Sequence, residues 1–167
     1  MNIITMAHGS GGSLTGKLIK EIVLKHLDHP SLTVLRDQAL VEIPAGTVGF
    51  TTDAYVIRPL SFPGGDIGKL AVCGTVNDLA VGGVVPLYLT LAAVLEEGLS
   101  IDVLDEIIGS AAAAAREAGV AIVAGDTKVV ERGRGDGMYL TTAGIGYLPA
   151  GRELFPETVQ PGDYLVV

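Results

Sequence analysis

Apolar residues at positions 14, 18, 19, 22, 23 and 27 recur at the three-and-four spacing of one helix face, which predicts an amphipathic helix just after the glycine-rich segment His8-Gly9-Ser10-Gly11-Gly12-Ser13. Short β-like runs follow at 33–35 and 49–52, the second ending at Asp53. A second helix is predicted over 67–81, and the Val-, Leu- and Tyr-rich run 84–95 reads as a buried strand. Ser100 is placed to cap a third helix that runs to Ala118, with Gly119 as its terminator. Strands at 121–124 and 139–146 flank the loop Arg132-Gly133-Arg134-Gly135-Asp136-Gly137. Strands outnumber helices and alternate with them only loosely, so the pattern predicts an α+β fold, a sheet with helices on one face, over a doubly wound one.

The second helix carries an anomaly. Asn77 and Asp78 interrupt an otherwise apolar pattern, and polar groups in a buried helix cost roughly 1–3 kcal/mol unless something satisfies them. A metal ion or a phosphate is one such partner, so the segment proposes a site. Near the end of the chain, Pro161-Gly162-Asp163 reads as a turn and residues 164–167 as the start of an apolar strand. That strand either completes this domain's own sheet or opens a further domain.

Composition narrows the class. With 167 residues, 49% hydrophobic and 18% charged, the chain is expected to fold as one domain with a sizeable core. The 23 glycines show no collagen-like period and suit tight turns and close backbone approach to a ligand. A net charge of −8 without a basic stripe argues against nucleic acid, whose phosphates are bound through Lys and Arg. A single cysteine, Cys73, excludes an internal disulfide framework and a cysteine zinc cage. The opening residues lack a signal-peptide pattern and no apolar run is long enough to span a bilayer, so a soluble, cytoplasmic protein is expected.

Two phosphate-binding motifs are approached and missed. Gly11, Gly16 and Lys17 have P-loop spacing, but Leu18 stands where a Ser or Thr should bind Mg²⁺; the dinucleotide fingerprint begun by Gly9 and Gly11 fails at Leu14. What remains is a set of aspartates, Asp37, Asp53, Asp78 and Asp126, each beside small or polar residues. Carboxylates at strand ends and helix turns can converge on Mg²⁺, which takes oxygen ligands and retains water and substrate phosphates. Each alone also fits an ordinary turn aspartate. Charge settles what such a cluster could accept: a carboxylate about 4 Å from a phosphate oxygen is repelled by ~1 kcal/mol in water and ~4 kcal/mol at an effective dielectric near 20. Divalent cations and a lysine must intervene. Lys128, two residues after Asp126, supplies the ammonium and favours polyphosphate over plain metal binding. His8 could touch a phosphate or move a proton, and the glycines after it could wrap an anion with their N–H groups. Cys73, one helical turn before Asn77, reads as packing rather than as a nucleophile.

Several strings are distinctive: His8-Gly-Ser-Gly-Gly12, Thr52-Asp53-Ala, Phe62-Pro-Gly-Gly-Asp-Ile-Gly-Lys-Leu-Ala71, Gly74-Thr-Val-Asn-Asp-Leu-Ala80, Leu95-Glu-Glu-Gly98 and Gly125-Asp-Thr-Lys-Val-Val130. Together they resemble the HypE family of hydrogenase maturation proteins, in register over nearly the whole chain. That family belongs to the AIR-synthetase-like (PurM-like) superfamily. The resemblance implies a mixed sheet with helices on one face, pairing with a second copy so that the sheets form a barrel at a homodimer interface. It implies ATP and Mg²⁺ as ligands. Asp37, Asp53, Asp78 and Asp126 would hold Mg²⁺ and phosphates, with Asn77, Thr127 and Lys128 beside them, Gly9, Gly11 and Gly12 closing over the nucleotide, and His8 and Lys128 as catalytic candidates. It implies an ATP-dependent dehydration of a carbamoyl group on a C-terminal cysteine to a thiocyanate, the source of cyanide ligands for [NiFe] hydrogenase. The carbamoyltransferase HypF and the HypC–HypD complex are the implied partners. The family continues into a second domain near Tyr164, so residues 1–160 are expected to be the ATP-binding domain and 161–167 the start of a C-terminal one. Gln38 replaces the second residue of an Asp-Asp pair common in the superfamily, and residues 81–86 depart from the usual Met-Gly-Ala pattern. Another superfamily enzyme, of thiamine-phosphate kinase or selenophosphate synthetase type, and a non-catalytic nucleotide-binding module are the competing readings.

Overall fold

In a computed structural model of the chain, residues 3–33, 36, 38–152, 154, 157 and 159–164 are described. A 3-10 turn, Met6–Gly9, leads into a broken helical stretch: α1 (Ser13–Leu18), a π-helical turn (Ile19–Val23) and α2 (Leu24–His26), then a short α3 (Pro30–Thr33). Strand β1 (Val48–Tyr55) and a two-residue hairpin, β2 (Ser61–Phe62) with β3 (Gly65–Asp66), precede α4 (Ile67–Val81). Then come β4 (Val85–Glu96), α5 (Ile101–Ala118), β5 (Ala121–Val130) and β6 (Met138–Tyr147). Among the described residues no helix is long and apolar enough to cross a membrane.

The main sheet is mixed, with order β1-β6-β4-β5. β6 pairs antiparallel with β1 and β4, while β4 and β5 are parallel and joined through α5. α4 packs on β1 and β6 and against α5. Leu89, Leu91, Ala93 and Leu95 of β4 and Met138 and Leu140 of β6 are buried on that helix side, with Leu104, Ile107, Ile108 and the alanines of α5 completing the core. The opposite side of the sheet stays open, and Phe50 there is 72% exposed. This is the expected α+β architecture with helices on one face.

Local chemistry sets the element ends. The Asp66 carboxylate accepts from the N–H groups of Gly68 (2.7 Å) and Lys69 (2.9 Å), capping α4. Ser100 caps α5 by accepting from Asp102 N–H, and Gly119 closes it in the left-handed region at φ 70°. α4 sits unusually close to its neighbours because its glycines leave room. A Cβ on Gly68 would overlap the Ile107 carbonyl of α5, and one on Gly74 would overlap the Tyr55 hydroxyl of β1.

Three expectations need correction. The single helix predicted from residue 14 to 27 is interrupted by the π-turn, which shifts the apolar face without ending it. Thr33 belongs to α3, not to a strand, and residues 34 and 35 lie outside the described set. The strand expected over 121–124 runs on to Val130, so the Gly125–Val130 segment is the second half of β5. The terminal segment shows its turn, with Asp163 N–H donating to the Gln160 carbonyl, and residues 165–167 lie outside the described set.

The helical stretch at the N-terminus is fastened to α5 by Asp105, which accepts from Lys25 Nζ (2.6 Å) and pairs with His26 Nε2 (2.7 Å). Lys25 first, then His26, holds the Asp105 carboxyl below its ordinary range. A carboxyl whose pKa is lower folded than unfolded stabilises the fold above the unfolded value, about 3.9, and loses that contribution as pH falls from there through the lower folded value. Asp105→Asn is therefore expected to lose less melting temperature than the parent protein between pH 6 and pH 3, measured by circular dichroism.

Candidate functional site

The aspartates fall into two groups. Thr51, Asp53 and Tyr55 alternate onto the helix side of β1, where Thr51 Oγ1 donates to Asp78 Oδ2 of α4 (3.2 Å) and Tyr55 is buried. Asp53 is half-buried, two residues or about 7 Å along the strand from Thr51, and its Oδ1 accepts from the Ala54 N–H (2.8 Å). Asp53 and Asp78 thus flank the β1–α4 seam. Asp126 lies on β5, three strands away across the sheet or about 14 Å, and alternates with Lys128 onto the open side. Within one chain it does not join the other two. Asp37 lies outside the described residues.

Asn77 and Asp78 are both exposed. The premise that they are buried polar groups in an apolar helix is therefore corrected: α4 buries Ile67, Ala71, Val72, Thr75 and Leu79, and the Asn-Asp pair points out of the core. Their availability to a ligand is greater for it.

On β5 the Lys128 ammonium bridges both oxygens of Asp126, at 2.7 and 2.6 Å, and the Thr127 N–H donates to Asp126 Oδ1 (2.8 Å). The lysine contact, aided by that N–H, holds the Asp126 carboxyl below its usual range. Both side chains are largely exposed, 64% for Lys128 and 60% for Asp126, so the pair contributes little to stability and can open toward a ligand. A cavity of about 210 Å³ lies beside it. Gly9, Gly11, Thr15 and Arg36 contribute to its lining together with the run from Gly125 to Lys128, while Ile19, Val23, Leu91 and Ile122 give it an apolar floor and roof. Gly9 must be glycine here, since a Cβ would strike Val129. Gly12 is exposed at the start of α1 and is not among the residues that line the cavity. His8 is engaged locally: its Nδ1 accepts from Thr5 N–H (3.0 Å) and faces the Thr5 hydroxyl (2.9 Å), which fastens the 3-10 turn. Cys73 is half-buried and packs against the core.

Sequence reasoning passed over Thr51, Tyr55, Thr75 and Thr142. Thr75 and Thr142 are the buried polar residues of the described core, and their hydroxyls bond to each other, with the Tyr55 hydroxyl 3.2 Å from Thr75. Burial pushes the Tyr55 hydroxyl up from its ordinary pKa, Thr75 opposes this, and the hydrogen bond and charge of Asp53 add to it. The one clue in the sequence is spacing: Tyr55 shares a strand face with Asp53, two residues on.

Mg²⁺ favours oxygen donors and is usually held by one or two carboxylates plus phosphates and water. Among the described residues no three His, Cys, Asp or Glu side chains group together. Asp53 and Asp78, on the facing elements β1 and α4, carry oxygen donors of the kind such an ion takes.

A mixed four-stranded sheet with helices on one side and a glycine-rich arm at its β5 edge define an α+β domain class, and its relatives specify it. Residues 35–148 match the family AIR synthase related protein, N-terminal domain, and the chain belongs to that family. Within it the relatives are HypE proteins, as the sequence motifs suggested. The chain is 50% identical over 164 residues to carbamoyl dehydratase HypE of Azotobacter vinelandii, covering 98% of this chain and 48% of the relative. It is 46% identical over 172 residues to that of Escherichia coli strain K12, covering 100% and 51%. It thus spans about half the length of the curated relatives it matches. A solved hydrogenase maturation protein HypE in complex with ATP superimposes with a TM-score of 0.83 at 48% identity, over 86% of this chain and 42% of that one. A HypE–HypF complex gives 0.64 at 46%, over 85% and 44%. A thiamine-monophosphate kinase from Stenotrophomonas maltophilia, at 22% identity and TM-score 0.57, shares the fold alone.

Replacing Lys128 by Met removes the main cause of the depressed Asp126 carboxyl. In the variant that carboxyl is expected to titrate at higher pH, toward the ordinary value, as followed by the carboxyl carbon shift in an NMR pH series.

Proposed function

We propose that this chain is the ATP-binding and dimerising N-terminal half of a HypE-type carbamoyl dehydratase. The observation that carries the reading is the cavity beside β5, where Gly9 and Gly11 of the N-terminal arm meet the Gly125–Lys128 run. Backbone N–H groups on the arm suit phosphate oxygens, and the Lys128 ammonium can exchange the Asp126 carboxylate for a phosphate. Asp53 and Asp78 would hold Mg²⁺, which offsets their repulsion of the polyphosphate; Asn77 beside them and Thr127 beside Asp126 supply neutral polar groups. Gly12 belongs to the same arm, and Asp37 is a further candidate ligand. His8 and Lys128 are the candidate catalytic groups.

The chemistry follows that of the relatives. ATP transfers its terminal phosphoryl group to the oxygen of an S-carbamoyl group; loss of that oxygen as phosphate, with both protons leaving the nitrogen, forms the C≡N bond of a thiocyanate. The acceptor cysteine belongs to the half of the protein that this chain does not span, and Cys73, packed on the core, is not that group. The solved HypE–HypF complex supports HypF as the partner that delivers the carbamoyl group, and the HypC–HypD complex would receive the product. A cytoplasmic setting fits the lone cysteine.

Asp126 and Lys128 lie on β5 at one edge of the sheet while Asp53 and Asp78 lie by β1 at the other, so one chain alone divides the ligand set. A homodimer formed through the open face, where Phe50 and Val48 stand 72% and 44% exposed, would cover apolar surface and bring a second chain to the site. Two outcomes are expected. Calorimetry should show Mg²⁺-dependent ATP binding that weakens about tenfold or more, ~1.4 kcal/mol, in Asp78→Asn; equal, metal-independent binding in both proteins would overturn the site. Sedimentation should show a dimer for the parent chain and a monomer for Phe50→Glu, and a monomeric parent would remove the interface.

A further inference from the structure

A chain of hydroxyl groups runs beneath the Asp53–Asp78 seam. Tyr55 of β1 reaches Thr75 of α4, and Thr75 bonds Thr142 of β6, which is the register partner of Asp53. Thr75 is 0% and Thr142 1% exposed, in a core otherwise made of aliphatic side chains. Apolar residues of the same shape would pack there without the desolvation that hydroxyls incur. The surroundings are shaped for the network: α4 has glycine at position 74, where any Cβ would overlap the Tyr55 hydroxyl, and β6 has glycine at 144, where a Cβ would crowd the Thr75 methyl (2.8 Å). A mid-helix glycine costs about 0.5–1 kcal/mol relative to alanine, so Gly74 gives up helix stability to seat this hydroxyl.

The network has a geometric output. Asp78 lies three residues after Thr75, one helical turn along, so the position and rotation of α4 at Thr75 decide where Asp78 sits against Thr51. Tyr55 lies two residues after Asp53 on the same strand face, and its hydroxyl reaches Thr75 of the facing helix. We propose that Tyr55, acting through Thr75 and Thr142, is a positioning residue that holds β1 and α4 in the single alignment at which Asp53 and Asp78 can share one divalent cation. This role rests on the Mg-ATP reading above. Tyr55 touches neither nucleotide nor metal in it; its hydroxyl fixes the spacing of the two groups that do.

The test is a Mg²⁺ titration of ATP binding, by calorimetry and well below the melting temperature. The parent chain is compared with Tyr55→Phe, Thr75→Val and the conservative Thr75→Ser, with Asp53→Asn alongside. Ligand-free melting is recorded for each. Tyr55→Phe and Thr75→Val are expected to melt within a few degrees of the parent, yet to need about tenfold more Mg²⁺ for half-maximal ATP binding. Thr75→Ser, which keeps the hydroxyl, is expected to retain the parental requirement. A parental Mg²⁺ requirement in folded Tyr55→Phe overturns the proposal. Thr75→Val reads the same network from the helix should the tyrosine variant fail to fold, and a parental requirement there overturns it too. Loss in Thr75→Ser equal to that in Thr75→Val assigns the effect to packing and likewise overturns it. Loss of the Mg²⁺ response in Asp53→Asn but not in the hydroxyl variants sinks the positioning role alone, whereas an unchanged response in Asp53→Asn sinks the Mg-ATP reading itself.

Discussion

The close seat of α4 on the sheet and on α5 is the constraint on which the rest of the structure depends. Interhelical distance is set by the side chains at the contact, and here Gly68 meets the Ile107 carbonyl with no side chain between them. On the sheet side Gly74 and Gly144 remove the Cβ atoms that would otherwise hold α4 off Tyr55 and Thr75. Ile67, Ala71, Val72 and Leu79 then fill the remaining space, small residues alternating with large ones. Through this contact the exposed Asn77–Asp78 pair gains a fixed position relative to β1, and the C-terminal end of the helix inherits the rigidity of the core.

The site divides along the sheet. The β1–α4 seam offers paired carboxylates suited to a hard cation, while β5 and the N-terminal arm offer an ammonium, backbone N–H groups and an apolar cavity suited to a phosphorylated, partly apolar ligand. Under the function proposed here, each half would take one component of a metal–nucleotide complex. The Lys128–Asp126 pair neutralises the charge of the second half, and its exposure means that opening it costs little free energy.

Much of this was legible in the chain. Where apolar periodicity was long and its ends carried recognisable caps, as in α4, β4 and α5, the predicted and observed bounds agree within a residue. The acidic candidates and Lys128 were found because carboxylates and ammonium groups are conspicuous among small residues. What was hidden had a common physical cause: it depended on what lies across space. The hydrophobic pattern of residues 14–27 is continuous through the π-turn, so nothing in it announces the shift of face. Asn77 and Asp78 look buried on a helix whose neighbours are mostly apolar, yet Ala80 and Val81 are exposed with them, leaving the polar pair at the surface. The Tyr55–Thr75–Thr142 contact joins residues from three elements, and a threonine in a helix is unremarkable until its partners are known.

The strand order carries a consequence for the time course of synthesis. β1 is the first strand of the main sheet to emerge, but its strand neighbour among the described residues is β6, the last of that sheet, and Thr52 bonds a carbonyl 90 residues further along. β4, α5 and β5 can assemble among themselves as soon as they are made, because their contacts are local in sequence. β1 and the sheet side of α4 must wait, with the strand edge unpaired, until β6 slots between β1 and β4. The Asp53–Asp78 seam is therefore the last part of the sheet to exist. A nascent chain has its glycine-rich arm and its β5 lysine in place before Asp53 and Asp78 face each other across a finished seam.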